Sequence, residues 1–206
     1  MKILAVLAAG VLAASLIAFG IQDGAARTAA VGQPAPDFKL VDSNGKEHSL
    51  SDFKGKYVVL EWFNHQCPFV VKHYRPGNMQ RLQNQAKEMD VVWLTIISSA
   101  PGKQGHRTPA QANELISEWN IASAAMLIDE SGDVGRLYGA RTTPHMYVIN
   151  AEGQLIYAGA ITDNPSADSA TIEGSRNHVM EALRESKAGK PVSVPTTQPY
   201  GCTVKY

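Results

Sequence analysis

Two cysteines, Cys67 and Cys202, are the side chains in this sequence with the most reactive chemistry to offer. They are far apart, and no CxxC pair exists, which excludes the simplest dithiol chemistry and most zinc sites. A thiolate attacks disulfides, and it is also oxidised by peroxides to a sulfenic acid that a second thiol can resolve. The residue types therefore indicate sulfur redox chemistry and leave open whether the two thiols pair.

Cys67 stands where a predicted strand meets a predicted helix. The run 56–63 is β-branched and aromatic, which is typical of a buried strand. Pro68 suits the first position of a helix. A thiol at a helix N-terminus meets free N–H groups and the positive end of the macrodipole, and both favour the thiolate. We therefore predict that Cys67 is a nucleophile and not a cysteine packed in the core.

Charged and titratable side chains flank this cysteine. His65, Lys72 and His73 lie close to it in sequence and are placed to add positive potential. Glu61 lies in the preceding strand and has two interpretations. It either shuttles a proton to the thiol or faces water at the strand end.

The elements that position Cys67 alternate along the chain. Alternating strands and helices that end in a hairpin and a helix predict an α/β fold, with a mixed central sheet and helices on both faces. We expect one domain over residues 31–188 and a Pro-rich tail over 189–206. The predicted strands are 38–41, 56–63, 90–97, 125–128, 145–149 and 154–158, and the predicted helices are 68–88 with a break at 76–77, 109–119, 134–138 and 175–187.

The N-terminus has the pattern of an export signal. Met1-Lys2 is followed by the uncharged stretch 3–21 and by small residues at 28–30. Residues 1–30 are thus expected to be a signal peptide or an uncleaved anchor, with the rest of the chain in the periplasm or an equivalent compartment. Nineteen basic residues balance nineteen acidic ones, which argues against a nucleic-acid partner. The only membrane contact that we expect is through an uncleaved N-terminal anchor.

The segment 58–72, the lead-in 34–38 and the stretch 128–139 resemble the thioredoxin-like redoxins, a group that includes TlpA-type and AhpC/TSA-type proteins. The resemblance implies a thioredoxin-like fold in which Thr143-Pro144 forms a cis-proline loop that faces Cys67. It implies no cofactor and no metal. The candidate catalytic residues are Cys67, Cys202 and Pro144, and the candidate pocket residues are Asn64, His65, Pro68, Thr143 and His145.

Three positions depart from the motifs of these redoxins. A TlpA-like pair would have its second cysteine where Val70 stands, and a peroxiredoxin-like motif would have Thr or Ser at Asn64 and Pro at Leu60. The substrate therefore stays open between a protein disulfide and a hydroperoxide, with an external thiol as reductant. We favour slightly a peroxiredoxin-like reaction with a distant resolving thiol.

Cys202 has several interpretations. The tail can fold back so that Cys202 resolves an oxidised Cys67, or the two can form a structural disulfide, or Cys202 can remain a free thiol. The proline spacing of the tail provides reach but no fixed direction. An alternative function is copper binding by a set of sulfur and imidazole donors, and a third is a redox-inactive module for protein contacts. The copper donors would be Cys67, His65, His145 and Cys202.

Overall fold

The computed structural model of the protein describes residues 28–206, so almost all of the predicted N-terminal signal lies outside the described residues. Seven strands form one sheet: β1 (Lys39–Asp42), β2 (Glu47–Ser49), β3 (Tyr57–Trp62), β4 (Val91–Ile97), β5 (Ala125–Ile128), β7 (His145–Ile149) and β8 (Leu155–Gly159). Their order in the sheet is β2-β1-β5-β4-β3-β7-β8. β3 and β5 pair in parallel with β4, whereas the other neighbours are antiparallel. The sheet is therefore mixed, as predicted.

Helices cover both faces of this sheet. Successive side chains of a strand point to opposite faces, and β3 follows this rule: Val59 packs into one core cluster, whereas Val58 and Leu60 pack into the other. The helices are α1 (Pro68–Tyr74), α2 (Asn78–Glu88), α3 (Pro109–Trp119), α4 (Asp133–Tyr138) and α5 (His178–Lys187). The first cluster contains side chains of α1, α2, α3 and α5, and the second contains side chains of α4 and a 3-10 turn at Leu50–Phe53.

The predicted helix over 68–88 is broken where expected. α1 ends at Tyr74, and α2 starts after Gly77, which has a left-handed backbone at φ 77°. α5 starts three residues later than the predicted Ser175 because Asn177 caps it: the Asn177 side-chain oxygen accepts the N–H of Met180 at 2.9 Å. Within residues 28–206, none of the helices is long and apolar enough to cross a bilayer.

The tail is an ordered part of the fold. Its residues 195–197 run along the edge strand β8, where Ala158 N–H donates to Pro195 O and Thr197 N–H donates to Ala158 O. The chain then crosses to a second, two-stranded sheet, in which β9 (Cys202–Thr203) pairs antiparallel with β6 (Thr142–Thr143). The tail was expected to have no fixed direction, and these backbone pairs give it one.

Candidate active site

The site lies at the active-site corner, which we define as residues 63–68 between β3 and α1. Cys67 is the N-cap residue of α1, and Pro68 occupies the first helical position. The Cys67 side chain is completely buried, but its sulfur meets polar atoms. Its S–H donates to the carbonyl oxygen of Thr143 at 3.0 Å, and the backbone N–H of Cys202 donates to its Sγ at 3.4 Å. The expectation that Cys67 is not packed in the core was wrong as to its burial, because the side chain belongs to the larger core cluster, but its sulfur has two backbone polar partners.

The loop that faces Cys67 is the one that the sequence indicated. The Thr143–Pro144 peptide bond is cis, as predicted. Thr143 belongs to β6 and pairs directly with Cys202 of β9, while Thr142 pairs with Thr203. The structure thus brings both cysteines, Thr143 and Pro144 together at one end of the sheet, and both thiols are free.

Two tyrosines hold the tail beside the corner. The Tyr200 hydroxyl lies 2.6 Å from Thr162 Oγ1, and the Tyr200 ring packs against Phe69 of α1 with ring centroids 5.9 Å apart. The Tyr206 hydroxyl donates to the carbonyl oxygen of Ala140 at 2.7 Å. Arg136 lies over the Tyr206 ring, with its guanidinium carbon 4.5 Å from the ring centroid. Each aromatic residue therefore fixes one side of the short strand β9.

Two glycines make room for this arrangement. Gly201 has φ 130°, a backbone conformation that strongly favours glycine, and a Cβ there would overlap the carbonyl oxygen of Thr143. Gly135 of α4 lies under the Tyr206 ring, and a Cβ there would stand 2.5 Å from the ring and its hydroxyl. Because neither position has space for a side chain, the tail approaches the protein backbone closely at both.

Cys202 is protonated at neutral pH. Burial, together with the hydrogen bond and charge of the neighbouring Cys67 sulfur, raises the pKa of Cys202 to about 11. Lys205 lowers that pKa by a smaller amount. The Cys202 thiol is therefore a weak nucleophile at neutral pH.

The corner is covered on another side by the loop at 98–108. Asn64 Oδ1 accepts the N–H of Gln66 at 2.9 Å, and Gln66 Oε1 accepts the N–H of Gly105 at 3.0 Å. Arg107 donates to His65 Nε2 at 2.6 Å. Burial, with the Arg107 charge as a second cause, lowers the pKa of His65 to about 4, so this ring is neutral at pH 7.

The positive potential predicted from the histidines is absent at neutral pH. Burial lowers the pKa of His73 to about 3, with Lys72 as a second cause, and the pKa of His145 to about 4, with Arg141 as a second cause. The ammonium group of Lys72 donates to the carbonyl oxygens of Asn164 at 3.1 Å and Ser166 at 2.8 Å. The prediction that His65, Lys72 and His73 add charge was wrong for both histidines, because their burial disfavours the cation.

Glu61 is buried, so the interpretation that it faces water was wrong. Its carboxylate accepts hydrogen bonds from Trp93 Nε1 at 2.8 Å and from the Tyr74 hydroxyl at 2.9 Å, and Gln83 and Thr95 lie at 3.5 and 3.4 Å. Burial outweighs these bonds and raises the pKa of Glu61 to about 7. This carboxyl group can therefore gain or lose a proton near neutral pH.

The four donors suggested for copper are not assembled. His65 Nε2 accepts from Arg107, and His145 Nδ1 accepts the backbone N–H of Arg141 at 3.3 Å. Across residues 28–206, no three His, Cys, Asp or Glu side chains are grouped closely enough to hold a metal ion. The geometry thus brings the backbone of Cys202 to the Cys67 sulfur and leaves both imidazoles in separate hydrogen bonds.

Sequence reasoning missed the side chains that seat the tail. Tyr200, Gly201 and Tyr206 all contact residues that are distant along the chain. Gly201 was the available signal, because glycine is the usual residue where the backbone must approach another group closely. Arg107 was also missed, since nothing in its local sequence relates it to His65.

A mixed sheet, a cysteine at a strand-to-helix junction and a cis-proline loop facing it define a redoxin of the thioredoxin-like class. Residues 31–158 match the AhpC/TSA family. The chain belongs to this family.

Individual relatives agree with this assignment. The thioredoxin-like protein YneN of Bacillus subtilis is 30% identical over 134 residues, covering 64% of this chain and 73% of that protein. The thiol-disulfide oxidoreductase ResA of Bacillus thuringiensis subsp. konkukian is 25% identical over 126 residues, covering 61% and 67%. A crystal structure of a hypothetical protein from Sinorhizobium meliloti has a TM-score of 0.73 at 21% identity over 87% of this chain and 96% of that one, which shows a shared fold.

Proposed function

We propose that the protein is an exported thiol oxidoreductase in which Cys67 is the nucleophile and Cys202 is the resolving thiol. The observation that carries this proposal is the position of Cys202, whose backbone N–H lies 3.4 Å from Cys67 Sγ while its own thiol stays protonated. The pairing of β9 with β6 holds the two residues together. Their separation in sequence is therefore no obstacle to a disulfide.

The catalytic steps follow from sulfur chemistry. With a hydroperoxide, the Cys67 thiolate forms an S–O bond, the O–O bond breaks, and an alcohol or water leaves. Cys202 then attacks the sulfenic acid, water leaves, and a Cys67–Cys202 disulfide forms. With a disulfide substrate, a mixed disulfide forms first, and Cys202 releases the substrate thiol. An external dithiol reduces the internal disulfide in both cases.

The contacts of Cys67 favour the peroxide reaction. A single motif cysteine with a partner already beside it matches oxidation by a small molecule followed by internal resolution. Asn64 stands where a peroxiredoxin motif has Thr or Ser, and its Oδ1 is engaged by the N–H of Gln66. We therefore expect peroxide reduction without the usual hydroxyl beside the sulfur.

One titration tests the roles of both cysteines. Reduced protein receives one equivalent of hydrogen peroxide, and non-reducing peptide mass mapping follows. We expect a Cys67–Cys202 disulfide in the wild type, a Cys67 sulfenic acid trapped by dimedone in Cys202→Ser, and no trapped product in Cys67→Ser. Two free thiols in the oxidised wild type, or a sulfenic acid on Cys202, would contradict the assignment.

Export rests on the sequence of residues 1–30 and is tested separately. Full-length protein expressed with its own N-terminus is expected in the extracytoplasmic fraction, either shortened near residue 30 or retained on the membrane by its N-terminus. An intact chain in the cytoplasmic fraction would contradict this part of the proposal.

A further inference from the structure

The resting chain already holds an extended polypeptide against the active-site corner. β9 pairs with β6 in an antiparallel register that places Cys202 opposite Thr143. The pairing continues beyond β9, since Val204 N–H donates to Arg141 O at 3.0 Å and Lys205 O accepts the N–H of Ala100 at 2.8 Å. A strand added to an exposed edge is one of the general ways in which proteins bind peptides: main-chain bonds give affinity and pockets give specificity. Residues 199–206 are thus seated as a bound peptide would be.

The surface under this segment is selective at defined positions. Two residues before the cysteine, the surface holds an aromatic side chain: the Tyr200 ring packs on Phe69, and the Tyr200 hydroxyl is hydrogen-bonded to Thr162. It has no space for a side chain directly before the cysteine, because a Cβ on Gly201 would overlap Thr143 O. The tail thus places the order aromatic-Gly-Cys on this edge.

We propose that this edge is a selective binding site for an extended aromatic-Gly-Cys segment of a protein substrate, and that the tail is its internal ligand. The inference rests on the proposed function, in its reaction with a disulfide substrate, and adds the class of protein partner. While the tail is bound, the Cys67 side chain is completely buried. A protein disulfide must therefore displace the tail before the Cys67 thiolate attacks the partner cysteine sulfur, forms a mixed disulfide and expels the other sulfur as a thiolate.

The test uses full-length Cys202→Ser protein and two synthetic peptides. One has the sequence of residues 199–206 with its cysteine joined to thionitrobenzoate, whose release as a coloured thiolate reports attack by Cys67. The matched peptide has alanine in place of the glycine. We expect the glycine peptide to react about tenfold faster or more, which corresponds to about 1.4 kcal/mol, since a methyl group at this position would overlap Thr143 O.

Loosening the tail tests its role as a competitor. In the same background, Tyr206→Ala removes the hydroxyl bond to Ala140 O and the contact with Arg136. We expect this variant to react with the glycine peptide about tenfold faster, because the edge is free more often. Gly201→Ala, which displaces the tail at the other end, is expected to act in the same direction. The control Lys190→Ala, at an exposed position before the tail strand, is expected to leave the rate unchanged.

Two kinds of failure are distinguishable. Equal rates for the two peptides, or no acceleration in both Tyr206→Ala and Gly201→Ala, overturn the internal-ligand inference. Reaction of those variants with the small disulfide 5,5′-dithiobis(2-nitrobenzoate) would at the same time preserve the proposed function. A Cys67 that stays unreactive toward this small disulfide even with the tail loosened overturns both.

Discussion

Cys67 and Cys202 meet at one point, but the segments that carry them are held in different ways. The active-site corner continues directly from β3 into α1, and its Phe63 ring packs edge-on against Tyr74 and Trp119 in the main core. The tail is held by the two-residue strand β9, by backbone hydrogen bonds of residues 195–197 to β8 and of residues 204–205 to neighbouring loops, and by side chains at its margins. We therefore expect the corner to change shape only when the core opens, and the tail to leave by local opening. In the function we propose, a fixed Cys67 with a removable Cys202 suits a reaction in two stages.

The largest expected effect is the loss of stability when Phe63 is substituted, which measures how firmly the core holds the active-site corner. Its side chain is 1% exposed, so Phe63→Ala should lower the free energy of unfolding by about 3–5 kcal/mol through the cavity it leaves. Urea denaturation measures this loss. The control Val41→Ala, at a residue that is 46% exposed, should change stability by less than about 0.5 kcal/mol. A similarly small loss for Phe63→Ala would mean that the corner is held no more firmly than the tail.

The next effect concerns Glu61, below the corner. The unfolded chain releases this proton near pH 4.5 and the folded protein near pH 7, so the folded state binds more protons between these values. Stability should therefore fall as the pH rises from 4.5 to 7, by about 3 kcal/mol in total. Glu61→Gln should remove this part of the pH dependence in urea titrations at several pH values, and the exposed control Glu114→Gln should keep it. An unchanged slope in Glu61→Gln would show that the carboxyl group titrates normally.

A smaller effect is expected in the tail. Tyr206→Phe removes one hydrogen bond, to Ala140 O, and should cost about 1 kcal/mol of tail docking. Hydrogen exchange at the Val204 amide should then be about fivefold faster, while exchange in β4 stays unchanged. Equal acceleration in β4 would mean that tail and core open together, and the contrast between the two regions would fail.

The smallest effect lies in the loop that covers the corner. Arg107→Gln should raise the pKa of His65, because the guanidinium charge is one of its two depressing causes, while burial keeps it below the usual range. Proton-detected NMR titration of the ring measures this shift, with Arg184→Gln on α5 as the control. A pKa of His65 that does not move would show that burial alone keeps the ring neutral.

The corner was predictable because its signals are local. The β-branched run before Cys67, Pro68 after it and the Pro76-Gly77 break each specify backbone geometry within a few residues. The alternation of strands and helices gave the mixed sheet for the same reason. Thr143-Pro144 was identified through family resemblance, which carries information about distant contacts.

The environment of the corner was less predictable, since it depends on contacts distant in sequence. The pairing of Thr143 with Cys202 spans 59 residues and follows no periodic pattern. Burial lowers the pKa of His73 and raises the pKa of Glu61. The degree of burial depends on the assembled core and cannot be taken from the neighbouring residues in the sequence. The residue types in the sequence identified the titratable side chains near Cys67, whereas packing in the folded protein determines which of them are charged at neutral pH.

The register of β9 imposes a constraint on chain length. Neighbouring strand residues point to opposite sides, so a shift by one position would turn the Cys202 side chain over and bring a different residue opposite Thr143. Tyr200 and Tyr206 are both anchored, so an insertion or deletion between them would strain one anchor or misplace the thiol. Length changes upstream, near Gly189, carry no such penalty for the thiol. The number of residues between Tyr200 and Tyr206 therefore matters to the site as much as Cys202 does.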